Sequence, residues 1–336
     1  MGAGVFAGVR ADQVDAILGA MTAVIEPGGV LGRQMVSGAA ALLFGRDVLT
    51  GDDVADPVSP ARFAAALGGD AALQRAASEL VAVAALADGM VAAPRLDAAL
   101  AYADCLAGGW PWTKELRDIA EGRLERAMHD MVVRNAATFP GLASPGVEPD
   151  LMPYTGTTDQ DRRLFARFEQ LEGYPSGTFG RAFWVHFRRH GFRFPGQDGA
   201  FNAAFAVPHD GLHVLSGYDT SMQGELLVGT FTGRMHATDA LSAHILPVIF
   251  QWHIGQDVNR IGAQHGALDP WKFFIAWQRG TTATTDVLGT AWQFFDAAPV
   301  ALDELRRRYG IPGLPDRYRA SGPEVNVTAE ADPAVQ

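Results

Sequence analysis

The chain has a single cysteine, Cys105, among 336 residues. No intramolecular disulfide can hold the fold, and no thiolate cluster can bind a structural metal. Lysine is almost absent as well, at Lys114 and Lys272; the other basic residues are arginines, a coding bias that marks no site. No basic run exceeds Arg306-Arg307-Arg308, and the net charge is −11. Nucleic-acid binding needs a clustered basic face, so neither DNA nor RNA is expected as a partner. No apolar stretch approaches the ~20 residues of a membrane span. Arg10, Asp12, Asp15 and Glu26 interrupt the N-terminal hydrophobic segments where a secretory signal would stand. The expected location is the cytoplasm.

What is present reads as helix. The composition, 48% hydrophobic and 19% charged, is that of a soluble globular chain, and its length predicts two domains. Helices are expected over 15–24, 34–43, 60–67, 71–86, 95–107 and 112–135, separated by glycine and proline breaks such as Pro27-Gly28-Gly29 and Gly68-Gly69. Within 71–86, Leu73, Ala76, Ala77, Leu80, Val83 and Ala84 recur at three- and four-residue spacing and form a core-facing stripe. Cys105 reads as a small apolar residue buried in its helix. Four prolines between Thr138 and Thr158 cannot sustain a helix and mark the domain boundary. Helices resume over 159–171, 178–189, 200–216, 221–231, 237–258, 270–278, 284–295 and 302–309. The fold class is therefore all-α in two helical domains. An accessory domain spans 1–137, a Pro/Gly linker 138–158, a metal-binding domain 159–320, and a disordered acidic tail 321–336.

The chemistry concentrates in Pro208-His209-Asp210-Gly211-Leu212-His213. His209 and His213 are four apart and project from one helical face, one turn apart. Asp210, three before His213, can point to the same edge, and Pro208 suits the first turn of such a helix. Ser216-Gly217-Tyr218-Asp219-Thr220 then forms a turn, and Glu225 falls about one turn into the next helix. A helix–turn–helix hairpin of this size returns Glu225 toward the histidines. Two imidazoles and two carboxylates suit a borderline or harder divalent ion, Zn²⁺, Fe²⁺, Mn²⁺ or Co²⁺. Apolar Phe205, Leu212, Val214 and Leu215 surround them, which makes unpaired polar groups costly there.

His209-Asp210-x-x-His213 followed after eleven residues by Glu225 resembles the HD-x-x-H-x₁₁-E zinc-ligand motif of the Coq4 family of ubiquinone biosynthesis. Tyr174-Pro175-Ser176-Gly177-Thr178-Phe179-Gly180-Arg181-Ala182 is similar to that family's Pro-x-Gly-Thr-Leu-Gly block. Gly217-Tyr218, Gly224-Glu225, Ala276-Trp277-Gln278-Arg279-Gly280 and Leu302-Asp303-Glu304-Leu305-Arg306 match its flavour on either side. The likeness runs from about Asp159 to Ile311. It implies a Coq4-like helical fold whose ion, zinc first, is held by His209, Asp210, His213 and Glu225. It implies a polyprenylated quinone precursor as ligand and an oxidative decarboxylase or lyase as activity, with loss of the C1 carboxylate and hydroxylation there. Other quinone-biosynthesis enzymes, transient peripheral contact with the inner membrane, and a homo-oligomer complete the expected partners. The other reading is a non-catalytic scaffold that binds a prenylated intermediate, its metal only stapling helices.

More weakly, Leu80 to Val91, a helix running into Asp88-Gly89, resembles the TerB-like helical domain of tellurite-resistance proteins. Only Asp97 follows where relatives carry several acidic residues, so Asp88-Gly89 reads as a helix-ending turn. His236, His244 and His253 read as scattered core or surface histidines. Phe250, Trp252, Phe273, Phe274 and Trp277 fit a prenyl-binding wall or an ordinary aromatic core equally. Thr178 reads as a helix cap before a phosphate cradle, and His186, Arg188, Arg189 and His190 as a solvated basic face.

Overall fold

The structure, a computed structural model, describes residues 4–46, 55–106, 108–143, 149–236 and 238–318. The expected tail over 321–336 and residues 144–148 of the expected linker lie outside the described residues. Among the described residues the fold is all-α, with fifteen α-helices, no strand, and two isolated β-bridges. None of these helices is long and apolar enough to cross a membrane.

The chain divides into two compact units, one of residues 1–135 and 225–282, the other of 136–224 and 283–336. The first crossing lies close to the predicted boundary. The second was not legible, because residues 225–282, expected with the metal-binding domain, pack with the N-terminal helices. Side chains in that segment supply the reason. On the helix Pro270–Thr282, Phe273, Phe274 and Trp277 are all buried. That helix packs against Val30–Gly38 and its π-helical continuation Ala39–Leu43. A Cβ on Gly38 would sit 3.0 Å from the Phe274 ring, and Gln278 donates to the carbonyl of Leu42. The five aromatics read as a wall or a core are, at Phe250, Phe273, Phe274 and Trp277, core.

In the first unit α1 (Ala11–Val24), α3 (Pro60–Leu67), α4 (Ala71–Ala84), α5 (Ala93–Asp104) and α6 (Pro111–Ala120) pack in sequence order. The single helix expected over 112–135 is two, because Gly122 at φ 81° separates α6 from α7 (Leu124–Ala137). Cys105 stands at the end of α5 and is exposed, not buried. Asp88 closes the turn after α4, accepting from the Met90 amide at 3.1 Å and pairing with Arg95 at 2.6 Å.

This unit buries charge. Glu79 on α4 is 1% exposed and accepts from Arg75 at 3.0 Å and Arg234 at 2.9 Å. The Arg234 guanidinium also lies over the Trp277 ring, 4.2 Å from its centroid. Glu115 on α6 is fully buried and takes the Nε–H of Arg134 at 3.0 Å. Asp239 joins the two clusters, 3.7 Å from Arg75 and 4.0 Å from Arg134. A buried ion pair is costly to break on one side, because the surviving charge has no solvent. His253 is a satisfied core histidine: its Nε2 meets the Ala87 carbonyl at 3.0 Å and its Nδ1 the Leu268 amide at 3.3 Å. His236 and His244 meet each other instead, rings 5.7 Å apart.

In the second unit α9 (Phe179–His190) packs against α10 (Ala203–Ser216) and α15 (Leu302–Arg308), and a phenylalanine cluster joins Phe168 of α8 (Asp159–Glu169) to Phe179, Phe183 and Phe187 of α9 and to Phe294. Thr178 caps α9, its hydroxyl accepting from the Arg181 amide at 3.3 Å. The helix expected over 284–295 is absent; turns fill 284–293 and only Phe294–Ala297 is helical. Asp286 and Gly289 explain this. The Asp286 side chain takes the Leu288 amide at 2.9 Å, a local bond that competes with helix.

Glu115 generates a pH prediction. Burial pushes its carboxyl from the ordinary 4.5 up to about 7, against the pull of Ser242 and Arg134. The folded state then binds the proton more tightly than the unfolded state, so stability is lost as pH rises from 4.5 through 7. Denaturant unfolding of wild type and Glu115→Gln across that range should show wild type losing roughly 1–3 kcal/mol relative to the variant. Parallel curves would contradict a buried, titrating Glu115.

Candidate metal centre

α10 starts at Ala203, with Asn202 accepting from the Ala204 amide at 3.0 Å. Pro208 is therefore inside the helix and not in its first turn, and offers no N–H to the Ala204 carbonyl four residues back. The helix ends at Gly217, which adopts φ 80° and donates its N–H to the His213 carbonyl at 2.8 Å. Arg306 on α15 completes that end, its Nε and Nη2 donating to Leu215 and Val214 carbonyls at 3.0 and 3.1 Å. The Leu302-to-Arg306 motif thus has a mechanical role: it satisfies the last carbonyls of the helix that carries both histidines.

The turn to α11 (Met222–His236) is equally specified. The Asp219 carboxylate accepts from the amide and hydroxyl of Ser221, and Ser221 Oγ accepts from the Gly224 amide at 3.1 Å. A Cβ at position 224 would stand 2.0 Å from the Asp219 carbonyl oxygen, so only glycine fits. The division between the units falls here, after Gly224. Glu225, the next residue, occupies the first turn of α11, where a carboxylate also suits the helix dipole.

This hairpin brings together His209, His213 and Glu225: one ligand atom from each lies within 4.8 Å of the others. Around an ion with bonds of about 2.1 Å, neighbouring donors stand roughly 3.4 Å apart, so small side-chain movements close the set. His213 is 2% exposed, while His209 and Glu225 are half-buried. His213 Nδ1 lies 3.0 Å from the Tyr218 carbonyl, which can only accept. The neutral ring therefore carries its proton on Nδ1 and its lone pair on Nε2, the form that binds a metal. The donor set fits a divalent ion with open positions.

Asp210, expected as a fourth ligand, is not in this group. One residue on from His209 it is rotated about 100° around the helix, and its Oδ1 lies 2.9 Å from His186 Nε2 on α9. His186 is 2% exposed, so it does not belong to a solvated face; Arg188 and Arg189 do. Its ring stacks on His213, centroids 5.7 Å apart, and abuts His190 at 4.9 Å. Burial holds the His190 pKa below its ordinary value, helped by the neighbouring His186 and His213. Nothing in the sequence pairs His186 with Asp210, since they are 24 residues apart on different helices.

An aromatic strip leads along α10 to the site. Phe205 stacks on His209 with centroids 5.0 Å apart, Phe201 follows at 6.0 Å, and Phe139 meets Phe205 edge-on at 5.1 Å. Phe201 is 39% exposed.

No protein-family profile, curated protein or solved structure matches the chain. The site stands on its own geometry.

Gly224→Ala should lower the thermal midpoint and weaken metal uptake, overpacking costing about 1–3 kcal/mol. Gly173→Ala, with nothing within 4 Å of the new methyl, is the control. A Gly224→Ala protein that melts and loads like wild type would contradict the close approach.

Proposed function

We propose that this chain is a metal-dependent protein acting on an aromatic carboxylate with an apolar tail, of the kind met in quinone biosynthesis. The observation that carries the reading is the convergence of His209, His213 and Glu225 on one glycine-bounded hairpin. Zinc is the first choice of ion, because two imidazoles and one carboxylate with positions left open is a catalytic zinc pattern; iron, manganese and cobalt share the donor types. A divalent ion there would supply Lewis acidity toward the substrate's carboxylate and phenolate oxygens.

The chain's own residues do the rest. His213, anchored through Nδ1 by the Tyr218 carbonyl, presents a fixed lone pair. Phe205 holds the His209 ring by stacking, and with the half-exposed Phe201 offers an aromatic strip for an apolar tail. The net change exchanges carbon dioxide for hydroxyl at C1: the C1–carboxylate bond breaks and releases carbon dioxide, water supplies the oxygen of the new C1–O bond, and dioxygen takes the two electrons and two protons and leaves as hydrogen peroxide. This reading agrees with the Coq4 resemblance of the sequence.

The test is complementation of a Coq4-deficient strain, with quinone intermediates followed by mass spectrometry. Wild type should restore quinone. Glu225→Gln should remain folded and accumulate the carboxylated precursor. A Glu225→Gln chain that complements fully would refute the catalytic reading, and loss of folding without precursor accumulation would favour the scaffold.

A further inference from the structure

The family-type motif offers four metal ligands, but this chain's geometry spends one of them elsewhere. Asp210 and His186 are both buried, and their 2.9 Å contact is the carboxylate's link to α9. Turning Asp210 toward the ion would strand the His186 nitrogen in an apolar wall that includes Phe187 and Phe192. His186 also stacks near-parallel to the His213 ring, centroids 5.7 Å apart and interplanar angle 20°. One histidine thus restrains Asp210 by a hydrogen bond and His213 by stacking.

We infer that His186 is a positioning residue: it holds Asp210 off the metal, so the centre has three protein ligands, His209, His213 and Glu225, and keeps coordination positions for an exogenous oxygen ligand. The inference rests on the reading that these three residues bind a metal, and it adds what the coordination sphere is and what aligns it. Three protein ligands would leave room for a small carboxylate; a fourth from Asp210 would close a tetrahedral site and favour a structural role. Removing His186 would release Asp210 and let its carboxylate take the position meant for the exogenous ligand.

The experiment uses the full chain, stripped with chelator and titrated with Co²⁺, whose visible bands report ligand number and type. Wild type should take up one Co²⁺ per chain, and its bands should shift when benzoate is added. Asp210→Asn should keep the band positions and stoichiometry, whereas His186→Ala, which frees Asp210 to join the ion, should shift the bands and blunt the benzoate response; His186→Gln, which retains a donor for Asp210, should restore both. The inference is overturned if Asp210→Asn changes the bands as Glu225→Gln does, or if His186→Ala leaves both the bands and the benzoate response as in wild type. Should Asp210→Asn fail to fold, the two His186 variants decide alone. Failure of the underlying metal reading looks different: wild type takes up no Co²⁺, or His213→Ala and Glu225→Gln bind it unchanged.

Discussion

The close approach of the Gly224 backbone to the Asp219 carbonyl is the constraint on which the site depends. A side chain there would push the first turn of α11 away from α10, and Glu225 would leave the histidines. Everything else at the hairpin serves that contact. Gly217 reverses the chain in a left-handed conformation, Ser221 caps α11, and Arg306 ties down the carbonyls at the end of α10. The motif therefore carries two kinds of information. His209, His213 and Glu225 supply donors, while Gly217, Gly224 and Arg306 supply the geometry that makes them a set.

Much of this was legible in the sequence. Helical periodicity gave the all-α class, and the four-residue spacing of His209 and His213 placed them on one face. The return of Glu225 followed from the length of the turn. The side to which Asp210 turns was not legible, because an aspartate between two histidines of one helix can face either neighbouring element. Its partner, His186, is set by how α9 lies on α10, which no local pattern encodes. Pro208 misled for a related reason: proline favours a first turn, yet packing holds this one inside a helix.

The domain division and the buried charges were hidden more deeply. Pro/Gly density marks where a chain leaves a unit, but α11 passes between the units without a break. Glu79, Glu115 and Arg234 sit in helices whose local text reads as ordinary solvated charge. Only tertiary packing closes Arg75, Glu79 and Arg234 into one cluster and buries Glu115 against Arg134. Arg75, Glu79 and Arg234 hold one another's charges and cannot be removed singly, whereas the histidine hairpin depends on absent side chains.

The most direct measurement of the central claim is anomalous diffraction from crystals of the full chain grown with Zn²⁺, collected on both sides of the zinc edge. One strong peak is expected within about 2.0–2.2 Å of a nitrogen of His209, His213 Nε2 and a Glu225 oxygen, with the Asp210 carboxylate still on His186. No peak at the hairpin, or a peak held by other residues, would contradict it.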